Sequence, residues 1–98
     1  MLGALFDLFL VGRAATAKQR ALAPGRDLAH RFATLGDMTG KTLREIVTRC
    51  GMPTSTHDEL GLVQWQATGY HIAIIFKYDA DRECNVFDRI SSEYSNLK

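Results

Sequence analysis

Cysteine is scarce in this chain. Cys50 and Cys84 are the two among 98 residues, too few for the bridged framework of a small secreted domain, and both read as small buried hydrophobes. Charge of one sign is missing too: a formal net charge of +1 excludes a surface built throughout for nucleic acid. No apolar run is long enough to span a bilayer. The longest candidate, MLGALFDLFLVG, is short, begins without a basic region and contains Asp7, so neither a membrane span nor a secretory signal is read from it. A cytoplasmic protein is the resulting expectation. CxxC, HxxxH and HExxH spacings do not occur, and of the consecutive His57, Asp58 and Glu59 only the first and third share a side of an extended chain. No metal and no cofactor are expected.

What is present is a division of the chain into two grammars. Residues 1–50 hold eight Lys/Arg against four Asp/Glu, and residues 51–98 hold four against seven. Such asymmetry steers two copies head to tail, brings the basic half to an anionic surface, or is the mark of solvated helix faces. In the first half the apolar spacing is helical. Leu2, Leu5, Phe6, Phe9 and Leu10 share one face, and a helix this apolar needs a cover: its own core, the same segment of a second chain, or a membrane interface beside Arg13, Lys18, Arg20, Arg26 and Arg31. Helix formers continue past Gly12 until Pro24 and Gly25, which predict a stop, and a second helix is predicted over residues 26–35. The clearest segment is GKTLREIVTRCGMP, residues 40–53. Thr42 and Glu45 form a T-x-x-E capping box, Leu43, Ile46, Val47 and Cys50 recur on one face, and Gly51 with Pro53 ends the helix.

After Pro53 the period becomes two. Residues 54–59 read as an edge strand or a loop. Val63, Trp65 and Ala67 alternate with polar residues, and Thr68-Gly69 turns the chain into YHIAIIFKY, apolar on both faces at its centre and so a middle strand. Residues 82–90 return with Cys84, Val86 and Ile90 on one side and Phe87 on the other, and residues 91–98 read as a tail. The fold expected is a single α+β domain over residues 1–98, with two or three N-terminal helices packed on one face of a three- or four-stranded antiparallel meander. Phe32, Leu35, Leu43, Ile46 and Val47 should meet Val63, Trp65, Ile72, Ile74, Phe76 and Val86 in the core. Leu62, Ala73, Ile75 and Phe87 are then left on the second face, which needs the N-terminal helix or a partner to cover it.

The pattern Gly40, Thr42, Ile46, Gly51, Pro53 followed by Trp65 resembles the helix signature of the small-protein-A family of outer-membrane assembly lipoproteins and the related repeats of beta-lactamase inhibitory protein. The likeness covers about half the chain. It implies a helix-helix-sheet architecture and a non-enzymatic module that binds or scaffolds other proteins. The chain departs from those lipoproteins in lacking a lipid-accepting N-terminal cysteine, in carrying Ala67 after the tryptophan, and in turning through DADRE, residues 79–83, where they use glycine. Their location and assembly role therefore do not carry over.

Chemistry finds little support. GDMTGKT resembles a phosphate-binding loop but has three residues between its glycines where the motif needs four, and it follows a helix. A nucleophilic set of cysteine, His71 and Asp88 fails on strand parity. Arginines and stacking aromatics are not interleaved on one surface, which sets nucleic acid below protein as a partner. The expected function is a small interaction or scaffolding module, self-associating through Leu5, Phe6 and Phe9 of the N-terminal helix or Ile75 and Phe87 of the second sheet face. The alternatives are a small enzyme or ligand-binding protein with a pocket near His57, Cys84 and Asp88, and a peripheral membrane protein held by residues 1–31.

Overall fold

A computed structural model describes the backbone of residues 2–98 and the side chains of residues 17–98. The capping box and apolar spacing produce the helix they predict, here labelled α2, Leu43–Cys50. Thr42 is its N-cap, accepting a hydrogen bond from the Glu45 N–H at 3.1 Å, which satisfies one of the four donors a helix leaves unpaired. Gly51 closes it at φ 95°, and its N–H reaches the Val47 carbonyl, a backbone setting that residues with a side chain rarely adopt. Lys41 and Thr42 also join this helix to the sheet. The Lys41 carbonyl accepts from the Phe87 N–H at 2.9 Å and Thr42 bridges Val86.

The first helix, α1, spans Leu2–Leu35 without interruption and contains Pro24. The two separate helices expected on either side of Pro24 and Gly25 are therefore one. A proline inside a helix forfeits a hydrogen bond and costs about 3 kcal/mol, so the rest of the fold must hold this segment. It does so from Leu22 onward. Gly25 lies directly on the backbone of Thr68, the Arg26 guanidinium donates to the Leu97 carbonyl at 3.1 Å, and Leu28, Ala29, Phe32 and Leu35 pack on the sheet. Tertiary packing, which outweighs local propensity in most helices, carries α1 through its weakest point.

Four strands follow in sequence order as an antiparallel meander: β1 Ser55–His57, β2 Leu62–Ala67, β3 Tyr70–Asp79 and β4 Cys84–Ser95. The α+β class and antiparallel sheet are thus as expected, and residues 54–59 supply the fourth strand and a turn of 3₁₀ helix. Both helices lie on one face. Phe32, Ile46 and Cys50 meet Val63, Trp65, Tyr70, Ile72, Ile74 and Phe76 in one buried cluster. Trp65 is 1% exposed, stands edge-on to Phe32 at 5.3 Å between centroids, and donates its indole N–H to the Gly51 carbonyl at 2.9 Å. One side chain thereby ties β2 to the end of α2. Met38 also joins the core, although its place between Gly36 and Gly40 reads as mere punctuation.

Strand β4 differs from expectation in two ways. It continues through residues 91–95, which read as a tail, because each of Tyr70, His71, Ile72 and Ala73 finds a partner there. Backbone pairing, with the Tyr70 hydroxyl donating to the Glu93 carboxylate, orders a segment that has little apolar surface of its own. The strand also carries two register shifts. Asp88 and Ser91 are extra residues without partners on β3, and each such bulge breaks the period of two. As a result Phe87 pairs with Phe76 and Ile90 with Ile74 on the helix-covered side, while Val86 stands across from Lys77.

In the β3–β4 turn Glu83 adopts φ 53°, a left-handed setting that costs a residue with a Cβ about 1 kcal/mol. Glycine is at ease there. Glu83→Gly is expected to raise stability by about that amount, read as a higher urea midpoint at unchanged slope.

Candidate protein-docking surface

The far face of the sheet lies opposite the cluster that the described side chains of α1 and α2 join. Its centre is the row Leu62, Ile75 and Arg89, aligned across β2, β3 and β4. Beside it runs the row Gln64, Ala73 and Ser92. Leu62 and Ile75 are half-buried and Arg89 is exposed, while Ala73, too short to rise past its neighbours, is buried. His71 completes the surface through a 3.0 Å contact between its Nε2 and the Gln64 Oε1. The result is a small apolar centre with a polar rim, the anatomy of a non-obligate interface.

Of the five residues singled out for partner binding, Ile75 lies on this open face. Phe87 does not: it packs partly buried against the helix-side cluster. The bulge at Asp88 explains the correction, because strict alternation from Val86 through Ile90 fails across it. Leu5, Phe6 and Phe9 lie outside the described side chains. Ala17 to Ala21 are exposed, so α1 is already clear of the sheet where its described side chains begin. Leu62, expected on this second face, lies there, and Tyr94, which is not among the expected residues, joins it across from His71. Leu62 carried a signal as the first residue of an alternating strand, whereas Tyr94, 60% exposed, was hidden in the segment read as a tail.

The residues weighed for chemistry are not brought together. His71 pairs with Tyr94 near one end of β4 and Cys84 pairs with Asp79 at the other. Their separation along β3, eight positions from His71 to Asp79, is about 26 Å. Asp88 sits in its bulge with an ion pair to Arg89 at 2.7 Å. His57 and Asp58 line one groove, of 260 Å³, and Cys84 lines another beside Leu43 and Val47. Among the described residues no group of three His, Cys, Asp or Glu is placed to hold a metal ion, and no helix is long and apolar enough to cross a membrane. In the glycine-rich stretch Thr42 is engaged as a cap and the Lys41 carbonyl as a strand partner.

Two acidic protons are held tightly by the core. Burial raises the pKa of the Cys50 thiol above its ordinary value, against the opposing pull of Arg31 and Arg49. Tyr70 is raised further, by burial first and then by its hydrogen bond to Glu93 and the charge beyond it. Both groups must therefore be neutral for the fold to be at full strength. A raised folded-state pKa gives stability that is complete below the unfolded value and lost as pH climbs toward the folded one. Melting temperature is expected to fall above about pH 9, where an unfolded thiol begins to ionise. Tyr70→Phe should make that fall shallower in a pH series of thermal melts.

No family model matches this chain, and no curated protein or solved structure does either.

Proposed function

We propose that this chain is a small non-enzymatic interaction or scaffolding module that associates with further copies of itself through the open sheet face, with the N-terminal apolar helix as a second contact. The observation that carries the reading is the Leu62–Ile75–Arg89 row. It is an apolar centre on the sheet face opposite the buried cluster that Phe32, Ile46 and Cys50 join. A soluble sheet leaves such a face polar or gives it a partner. The opposite charge of the two chain halves supports a second copy as that partner. Both cysteines are free, which fits a reducing compartment such as the cytoplasm. The small-protein-A resemblance points the same way, and two of its positions, Gly51 and Trp65, are joined here by a hydrogen bond.

Light scattering after gel filtration tests the reading with the full chain. A dimer or larger species is expected. Leu62→Asp with Ile75→Asp should reduce it to a monomer if the sheet face is the contact, and Phe6→Glu with Phe9→Glu should do so if the helix is. A full chain that stays monomeric at hundreds of micromolar overturns self-association. A peripheral membrane role is the second reading, favoured by exposed Lys18 and Arg20 on α1. It requires co-sedimentation with phosphatidylglycerol vesicles that weakens with salt.

A further inference from the structure

Strand β4 closes the sheet on one side, and its outer edge is only partly used. Near its start Lys41 and Thr42 pair with Phe87 and Val86. Beyond the second bulge, from Ser92 to Ser95, β4 is the last strand of the sheet, and no backbone hydrogen bond from outside the sheet reaches that stretch among the described residues. The N–H of Asn96 points back to the Gly69 carbonyl. Because backbone direction alternates along an antiparallel strand, the N–H and C=O of Ser95 and Glu93 point away from the sheet. The free stretch lacks proline, lysine and arginine, residues with which natural edges are commonly blunted.

The helix-covered face beside this edge is not filled. Between α1 and β4 lies a trough of about 530 Å³, with Phe32, Tyr70, Ile72 and Ile90 along it and Ala33 on the helix wall. Ile90 is 44% exposed there. The charged residue in the trough is Glu93, whose carboxylate accepts from Tyr70 through one oxygen and has no described partner on the other. The last turn of α1 also reaches the trough, at Phe32 and Ala33, and carries no basic residue, so the negative end of the helix dipole adds to that field.

We infer that the Ser92–Ser95 edge accepts an extended segment of another protein by strand addition, with alternate aliphatic side chains in the trough and a lysine or arginine opposite Glu93. The inference rests on the interaction-module reading and specifies a second contact for it. The main-chain bonds come from Glu93 and Ser95, and the alternating side chains give the selectivity, as in other strand-addition complexes. An extended peptide matches both features, since an added strand satisfies the outward backbone groups that a helix lying in the trough leaves unpaired.

A displayed library of random twelve-residue peptides, selected on the full chain, tests it. Enriched sequences should alternate aliphatic residues and share one basic position on the same side. Their binding should weaken about tenfold or more in Ser95→Pro, which removes an outward N–H and leaves the β3 ladder intact. Ala33→Trp, which fills the trough from an exposed helix position, should weaken binding similarly. Glu93→Gln should relax the basic preference alone. Peptides that bind as helices, or that ignore Ser95→Pro and Ala33→Trp but are lost with Ile75→Asp, overturn strand addition while leaving the interaction reading in place. No enrichment also overturns strand addition, and together with a monomeric full chain it removes the interaction reading as well.

Discussion

Trp65→Ala is expected to leave the chain unfolded or nearly so at room temperature. The indole is 1% exposed and is the largest of the fully buried side chains. Truncating a buried tryptophan to alanine costs about 3–5 kcal/mol through lost transfer energy and the cavity left behind. Here the loss is compounded. The edge-on contact with Phe32 and the hydrogen bond to the Gly51 carbonyl disappear together, so β2 loses its link to both helices. A domain of this size has a total stability of only about 5–15 kcal/mol. Far-ultraviolet circular dichroism with urea titration should show a collapsed midpoint. Trp65→Phe keeps much of the apolar volume and should retain a cooperative, weaker transition. A loss below about 1 kcal/mol for the alanine variant would mean that the indole is not the anchor of this core.

Gly25→Ala reverses the usual sign. In an exposed helix interior, replacing glycine by alanine gains about 0.5–1 kcal/mol from reduced chain entropy. At Gly25 a Cβ would stand 1.9 Å from the Thr68 carbonyl oxygen and 2.9 Å from its carbon. Those atoms are backbone at the tip of the β2–β3 hairpin and cannot rotate aside. The helix has to lift from the turn, which pulls on the Arg26 to Leu97 hydrogen bond and on the seating of Leu28 and Phe32. Overpacking of this kind costs about 1–3 kcal/mol, occasionally more, and the absence of side-chain slack places Gly25→Ala at or above the upper figure. The check is a thermal melt beside Ala23→Gly, an exposed neighbour where the ordinary propensity cost of about 1 kcal/mol should apply. A stabilising Gly25→Ala would show that α1 does not approach the hairpin so closely.

Gly25 also shows where the sequence stops being readable. Local rules assign Pro24-Gly25 as a helix end, and nothing within ten residues argues otherwise. The contact that keeps α1 continuous is with Thr68, 43 positions away. By contrast, α2 was legible in full, because Thr42, the Leu43-Ile46-Val47-Cys50 spacing and Gly51 are all local signals that agree. The two long strands are recognisable as strands as far as Ile90. Beyond it, Ser91 to Ser95 are ordered by pairing with β3 more than by their own composition, and Phe87 changed sides because a bulge has no signature in a single sequence. The open face is foreseeable in outline from Ile75, whereas the free edge of β4 is not, since residues 91–95 read as a tail.

Self-association through the sheet requires that the face bearing Ile75 be covered by a partner and not by the chain itself. Methyl NMR of the full chain with a soluble paramagnetic agent measures this directly. In dilute samples the Ile75 and Leu62 methyls should broaden strongly while those of Ile46 and Ile74, both 0% exposed, stay sharp. As concentration rises, Ile75 should become protected. Protection of Ile75 at every concentration, in a chain shown to be monomeric, would mean that its own residues cover the face and would contradict the proposed function.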